Sequence, residues 1–420
     1  MNSWKRGKNF NRTKYVLKNP RIFIPHIRSN CHASVPIDII DSFNLDLDKK
    51  IVCLLRITGK DFNSVRIKNL SREGGSLIFS LKLEKGVHEL EVEVLDIKNE
   101  VDVLKRFKDI TKFIPKQTSG TPTPIYIFDN KTNYIVGGHF KKELTIPKTI
   151  KLDGAFLTAL GLYLAEGGKK EASFTNSWPR IINIFFDFLE KNFNMKRETI
   201  KASIFCNPSL KNKQDELELF WKNETGVQNL AKKLHFGKNS RSACGTLELY
   251  LCSKTLKEIL VSLLGSSNFY KEFNLISGYF AGDASPILQT KYSITHHITF
   301  DRNYKNLYSD VITTFFKDCP VRLVTENKFV IYPDWKFNKQ LLLNDVYWPN
   351  PINRLKFAKK FLELPRTKLV IKRDKELDVY KRKVYQSLVF DALDHYKKLM
   401  RLRLFSNDKI KVFTDEYILH

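Results

Sequence analysis

The stretch "GLYLAEGG" (residues 161–168) sets one carboxylate, Glu166, among small residues at the end of an apolar run. "LISGYFAGDAS" (275–285) repeats the arrangement with Asp283. Gly161 and Ala165 lie four positions apart, and so do Gly278 and Gly282. Residues at that spacing share one helix face. A glycine inside a helix costs about 1 kcal/mol against alanine, so small residues kept on one face imply a close neighbour. The other copy can be that neighbour, and the pattern predicts two helices packed backbone to backbone through Gly161, Ala165, Gly278 and Gly282. In each copy the acid stands one step past the last small residue, at the helix C-terminus. Packing of this kind brings Glu166 and Asp283 side by side, next to two negative dipole ends, where a divalent cation relieves the repulsion. Mg²⁺ (or Mn²⁺) suits such a place, because Mg²⁺ takes one or two carboxylates, keeps waters and accepts phosphate oxygens. Metal ions held between carboxylates support phosphodiester hydrolysis.

The flanking sequence repeats as well. Over 145–264 the order reads helix ("DGAFLTALGLYLAEG", with Asp153 as N-cap), strand ("EASFTN"), helix ("WPRIINIFFDFLEKNFN"), then strands including "TLELYLCS", then a helix ended by Gly265. Over 265–364 it reads helix ("YKEFNLISGYFAGDAS"), strand ("KYSITHHITF"), helix ("NYKNLYSDVITTFFKDC"), hairpin ("PVRLVTENKFVIYP") and a further helix from "WKFNKQLLLNDV". This is the signature of a diverged internal duplication.

The paired segments resemble the two motifs of the single-chain LAGLIDADG homing endonucleases. Gly161, Ala165, Glu166 and Gly167 fall on the Gly, Ala, acidic and final Gly places of the motif; Gly278, Gly282 and Asp283 fall on the Gly, small and acidic places, with Ala284 in place of the last glycine. The resemblance spans about 145–364. It implies an α+β fold of two pseudo-symmetric αββαββα-type units that form a DNA-binding saddle, with an extra N-terminal β-rich domain and a C-terminal helical extension. It also implies that Glu166 and Asp283 are catalytic and hold the metal, each addressing one DNA strand, so that a double-strand break with short 3′ overhangs results. Outward strand residues would read bases and phosphates. Ser173 and Thr175 are the candidates in the first unit, and Lys291 and Tyr292 in the second. Arg241, Lys238, Arg302 and Lys305 are candidates for phosphate or guanine contacts. Lys328, Lys336 and Tyr250 are candidates to support the water network near the acids.

Composition agrees with a polyanionic partner. Lys and Arg number 71 against 45 Asp and Glu, a net charge of +26, which favours nucleic acid and salt-sensitive binding. Residues 1–37 contain no acid and include Lys5, Arg6, Lys8, Arg12, Lys14, Lys18, Arg21 and Arg28; 1–21 reads as a basic arm. Residues 22–115 read as a β-rich domain. Within it "SVPIDIIDSFNLDLDKKIVCLLRI" predicts strand, short helix, strand, and loosely resembles looped-hairpin DNA-binding modules of the AbrB type; a plain small β domain is the other reading. "SLIFSLKLEKGVHELEVEVLDI" predicts two strands about Lys85–Gly86. "KQTSGTPTPIY" opens a linker over 116–144. Residues 365–420 form a basic helical extension with a long helix at about 374–405, either clamping DNA or extending the second unit. Six cysteines form no CxxC pair, and the adjacent His296 and His297 face opposite ways on a strand, so neither type points to a zinc site. No apolar run reaches membrane length and no apolar signal region opens the chain, which predicts a cytoplasmic protein without membrane contact; the single-chain resemblance implies a monomer.

Three functions compete on these grounds: a homing-type endonuclease cutting double-stranded DNA, a non-cleaving binder on the same scaffold such as an intron RNA maturase or a regulator, and an intein endonuclease. Retention of both acids favours the first over the second. The ends "MNS" and "YILH" lack splicing residues, which disfavours the third.

Overall fold

The computed structural model describes residues 21–27, 31–37, 51–59, 62–73, 76–83, 86–99, 125–130, 133–138, 143–147, 153–168, 172–231, 234–237, 242–265, 267–401 and 404. Helix and strand are both abundant, and the chain divides into two compact units, Met1–Thr149 and Ile150–His420. Among the described residues no helix is long and apolar enough to cross a membrane.

The described part of the first unit is strand apart from Glu143. β1 (Arg21–Ile27), β2 (Cys31–Ile37), β3 (Ile51–Gly59), β4 (Phe62–Glu73), β5 (Ser76–Leu83) and β6 (Gly86–Asn99) form an antiparallel sheet in the order β1-β6-β3-β4-β5-β2. The two strands about Lys85–Gly86 form but take different partners: β5 joins β4 and β2, whereas β6 joins β1 and β3. The short helix expected after β2 and nearly all of the basic arm lie outside the described residues.

β7 (Ile125–Asn130), β8 (Asn133–Gly138) and β9 (Leu144–Pro147) make a three-stranded meander. This corrects the linker expected over 116–144. "IYIFDN" and "NYIVGG" carry β-branched and aromatic residues on either side of a short polar turn, and Phe128 and Ile135 pack with Leu54 and Ile67 in one core cluster. Glu143 pairs with Arg66 at 2.9 Å and accepts the Ile67 N–H at 3.0 Å. The first unit therefore runs through β9, past the boundary expected near 145.

The second unit holds two successive halves. The first runs α1 (Gly154–Glu166), β10 (Gly167–Gly168), β11 (Ser173–Asn176), α2 (Pro179–Phe193), β12 (Lys201–Cys206), α3 (Gln214–Thr225), β13 (Asn229–Leu230), β14 (His235–Phe236), β15 (Thr246–Tyr250) and α4 (Lys254–Leu264). The second runs α5 (Phe273–Asp283), β16 (Ala284–Thr290), β17 (Ser293–Thr299), α6 (Lys305–Phe315), β18 (Val321–Thr325), β19 (Lys328–Ile331) and α7 (Trp335–Leu343). The sheets are ordered β10-β11-β15-β12-β13 and β16-β17-β19-β18. Without α3, β13 and β14, which are inserted between β12 and β15, both halves run helix, two strands, helix, two strands, helix, with the same strand order.

α5 ends earlier than its sequence pattern predicts. Pro286 restricts the residue before it to extended backbone, and Ala284 is already extended at φ −99°, ψ 147°. The segment 284–290 is consequently an edge strand. α3 has no counterpart among the elements the sequence pattern predicts, because its acid-rich first turn masks a buried stripe of Leu217, Phe220, Trp221 and Thr225.

After α7 come α8 (Pro351–Glu363), α9 (Pro365–Val370), α10 (Lys375–Val379) and α11 (Gln386–Arg401). Between α10 and α11 the backbone stays helical through one wider π-type turn, Tyr380–Tyr385. The long helix expected at 374–405 is thus present over 375–401 with one bulged turn. It belongs to the body of the second unit. α11 packs on α8, and its His395 ring lies 4.6 Å from Trp178 and 6.2 Å from Phe220 of the first half. Lys398 pairs with Glu224 at 3.3 Å.

Candidate active site

α1 and α5 lie against each other at the centre of the second unit. Both are buried on nearly every side: Phe156 through Leu164 in α1, and Leu275 through Ala281 in α5. A helix with apolar residues all round is stable only when enclosed. Asp153 starts α1 by accepting the Phe156 N–H at 3.0 Å.

The glycines set the approach, and they do so reciprocally. A Cβ on Gly161 would stand 2.0 Å from the Leu275 carbonyl oxygen and 2.9 Å from the Tyr279 nitrogen. A Cβ on Gly278 would stand 2.0 Å from the Thr158 oxygen and 2.7 Å from the Leu162 nitrogen. Each glycine thus faces the carbonyl three residues before the other glycine and the amide just after it. One turn on, a Cβ on Gly282 would meet the Ala165 Cβ at 2.5 Å, Glu166 Cγ at 2.8 Å and Glu166 Oε1 at 3.2 Å. Since Asp283 follows Gly282, the two acids stand at adjoining helix ends.

The acids are half-buried and supported by neutral donors. Asn176 Nδ2 donates to Glu166 Oε1 at 2.9 Å, while its own Oδ1 accepts the Trp178 N–H at 2.8 Å. Two residues before each acid, the backbone carbonyl is engaged from elsewhere: Tyr308 Oη donates to the Leu164 oxygen at 2.8 Å, and Asn350 Nδ2 donates to the Ala281 oxygen at 2.9 Å. Asn353 Nδ2 donates to the Ala284 oxygen at 2.9 Å. Carbonyls that a helix end leaves unpaired are satisfied in this way. Burial first, and then the Asp283 charge, push the Tyr279 and Tyr308 hydroxyls well above their ordinary pKa. Glu166 adds to the effect on Tyr308, so this tyrosine senses both acids and stays a neutral donor.

Sequence reasoning missed Asn176, Tyr308, Asn350 and Asn353. Asn176 alone carried a local signal: it is a polar residue on the strand face that Phe174 turns toward the helices.

The replaced last glycine has a geometric reading. A Cβ on Gly167 would run into the Tyr163 ring at 2.3 Å. Tyr163 leans toward the helix end and donates to the Gly168 oxygen at 3.1 Å. In the second half Phe280 occupies the matching place, stacks on Phe316 at 5.7 Å, and Ala284 is accommodated, fully buried.

The expected nucleic-acid residues are scattered. In β11 the side chains of Phe174 and Asn176 turn to the helices, which leaves Ser173 and Thr175 on the other sheet face; Ser173 is buried there. Lys291 and Tyr292 are turn residues between β16 and β17 rather than strand residues, exposed, with the Lys291 ammonium 5.0 Å from the Tyr292 ring centre. Arg302 is exposed and paired with Glu326 at 2.7 Å. Lys305 begins α6, and Lys336 lies in the first turn of α7 off the sheet, because the Asp334 cap starts that helix one residue earlier. Lys328 opens β19 opposite Thr299, on the open face beside His297. Tyr250 donates to Glu248 Oε2 at 2.7 Å. Arg241 and Lys238 lie outside the described residues.

His296 is a core residue. It sits between Tyr347 Oη at 2.8 Å and Asn338 Oδ1 at 2.9 Å, and burial pushes its pKa down to about 4. Among the described residues no group of three or more His, Cys, Asp or Glu side chains is assembled for a metal ion. The Glu166–Asp283 pair offers oxygen donors only, a set that fits Mg²⁺ completed by waters and phosphate oxygens and does not fit a softer metal. No protein-family model matches the chain, and no curated protein matches it.

Proposed function

We propose that the chain is a site-specific, metal-dependent endonuclease of the LAGLIDADG type that makes double-strand breaks in DNA and works as a monomer. The observation that carries this reading is the reciprocal glycine contact between α1 and α5, which stations Glu166 and Asp283 at adjoining helix ends. The shared strand order of the two sheets supports a pseudo-symmetric pair of αββαββα-type units, each presenting its open sheet face to one half of a duplex. The net charge of +26 supports a nucleic acid partner.

Glu166 and Asp283 would hold Mg²⁺ or Mn²⁺, which when bound supplies an activated water and a counter-charge for the leaving oxygen. The chain's own contribution is placement. Asn176 holds one Glu166 oxygen, and Tyr308 and Asn350 occupy the carbonyls behind the two acids. At Gly161 and Gly278 the seam is backbone on backbone and leaves no side chain to repack, and beside the acids it closes with Gly282 against Ala165 and Glu166.

The test is cleavage of duplex DNA carrying a target isolated from a random pool, with Mg²⁺ and with EDTA. Cutting is expected only with the metal. Glu166→Gln and Asp283→Asn are each expected to abolish cutting and to leave binding nearly intact, because carboxylates add nothing to affinity for phosphate. Unchanged cutting by both variants, or loss of binding by both, overturns the reading. A structured RNA bound more tightly than any duplex would favour the maturase reading instead.

A further inference from the structure

The open face of the first half carries a carboxylate at its centre, which is an odd placement for a surface meant for a polyanion. β15 alternates cleanly: Leu247 and Leu249 are fully buried against the helices, and Thr246, Glu248 and Tyr250 lie on the other side. Strand register sets Glu248 in one row between Thr175 of β11 and Ser203 of β12, and Tyr250 in the next row between Ser173 and Lys201. Among the described residues Glu248 is therefore the only long side chain of its row, beside a half-buried Thr175 and a buried Ser203. Its Oε2 accepts the Tyr250 hydroxyl at 2.7 Å, which holds the carboxylate over the middle strand.

The matching face of the second half differs. One row there runs Ser285, His297, Val330, Arg322 across β16, β17, β19 and β18. Arg322 is exposed, with its guanidinium carbon 5.4 Å from the Tyr332 ring centre, and Lys328 stands beside His297. The described rows of this face carry cations and no acid.

An ionised carboxylate only accepts hydrogen bonds, and phosphates repel it. In the major groove the donors are the amino groups of cytosine and adenine, and a carboxylate answers cytosine N4, whereas Arg answers guanine. We infer that Glu248 is a base-reading residue that gives the first half a cytosine preference, so that the two half-sites of the recognised DNA are unequal. This inference rests on the DNA-binding reading above.

The experiment is selection of bound duplexes from a randomised pool by the full chain without divalent cation, using wild type, Glu248→Gln and Glu248→Ala. Wild type is expected to enrich cytosine at one position of one half-site. Glu248→Gln turns an acceptor into an amide that suits adenine, so that position is expected to change from cytosine to adenine while the other half-site stays the same. Glu248→Ala is expected to lose roughly tenfold in preference at that position alone. An enriched site unaltered at every position by both substitutions overturns the inference and leaves the DNA-binding reading standing. Loss of all enrichment by both variants also overturns it, because the carboxylate would then serve the fold. A pool from which wild type enriches no duplex overturns both.

Discussion

Replacing Gly161 by alanine tests the seam directly, because the two forces at work have opposite signs. In an open helix the change stabilises by about 1 kcal/mol. Here the added carbon would stand 2.0 Å from the Leu275 oxygen, whereas carbon and oxygen in contact sit about 3.3 Å apart. The helices must therefore part locally by roughly 1.3 Å, and no rotamer relieves the clash because the opposing atoms are backbone. A gap of that size forfeits about half of each dispersion contact along the seam, and overpacking typically costs about 1–3 kcal/mol or more. The net expectation is a loss of about 3 kcal/mol, since the clash is severe and its relief spreads along both helices. Urea unfolding followed by tryptophan fluorescence reads it, because Trp178, Trp221, Trp335 and Trp348 all lie in this unit. The midpoint is expected to fall by about 1 M at an m-value of about 3 kcal/mol/M. Gly278→Ala should behave alike, and the double variant should lose less than the sum of the two, since one parting serves both. Gly265→Ala, where the new carbon meets Ser262 O at an ordinary 3.4 Å, is the control and should move stability by under about 0.5 kcal/mol. A Gly161→Ala variant as stable as the parent would refute the backbone-on-backbone seam.

Other outcomes follow from the same structure. Asn176→Ala removes both the donor to Glu166 and the acceptor for Trp178 N–H; turnover should drop by about 10- to 100-fold with little change in DNA affinity, and an equal rise in KM alone would contradict the assigned role. Tyr308→Phe removes the hydroxyl that donates to the Leu164 carbonyl and should cost about 0.5–1.5 kcal/mol, measurable by the same urea titration; a neutral effect would mean that this bond adds nothing to stability. Acid should weaken the fold through His296 and His395, whose pKa values burial pushes down to about 4. The unfolded chain takes up those protons near pH 6.5 and the folded one does not, so stability is full above that pH and is lost as pH falls from about 6.5 to about 4. For the fully buried His296 this amounts to about 2 kcal/mol by pH 5, and stability that stays flat between pH 6.5 and 5 would count against a neutral core histidine.

The seam was readable because glycine is costly inside a helix and nothing local compensates for it, so its repetition at one spacing implies a neighbour. Asp153, as N-cap, and the strand "TLELY" were readable for a similar reason, since capping and alternation are local rules. What stayed hidden depends on distant partners. Tyr308 reaches Leu164 and Asn350 reaches Ala281 across long stretches of chain, and no spacing rule connects them. β16 was concealed because its first residues continue the apolar run of α5, and only Pro286 marks the break. Lys291 and Tyr292 have strand-like neighbours, yet the register shift between Leu288 and Thr290 puts them in the turn. The meander β7–β9 follows a Pro- and Thr-rich opening whose composition reads as a linker, and its strands are set by non-local pairing such as Ile127 with Val136.

The seating of His395 against Trp178 and Phe220 bears on how the molecule is made. The first half is synthesised early, but part of its cover arrives with one of the last helices. At ribosomal rates of about 5–20 residues per second, roughly 9 to 36 seconds separate Phe220 from Lys398. During that interval Trp178 and Phe220 lack the His395 ring and Glu224 lacks the Lys398 ammonium. The nascent chain therefore carries a temporarily open aromatic surface, which the arrival of α11 closes.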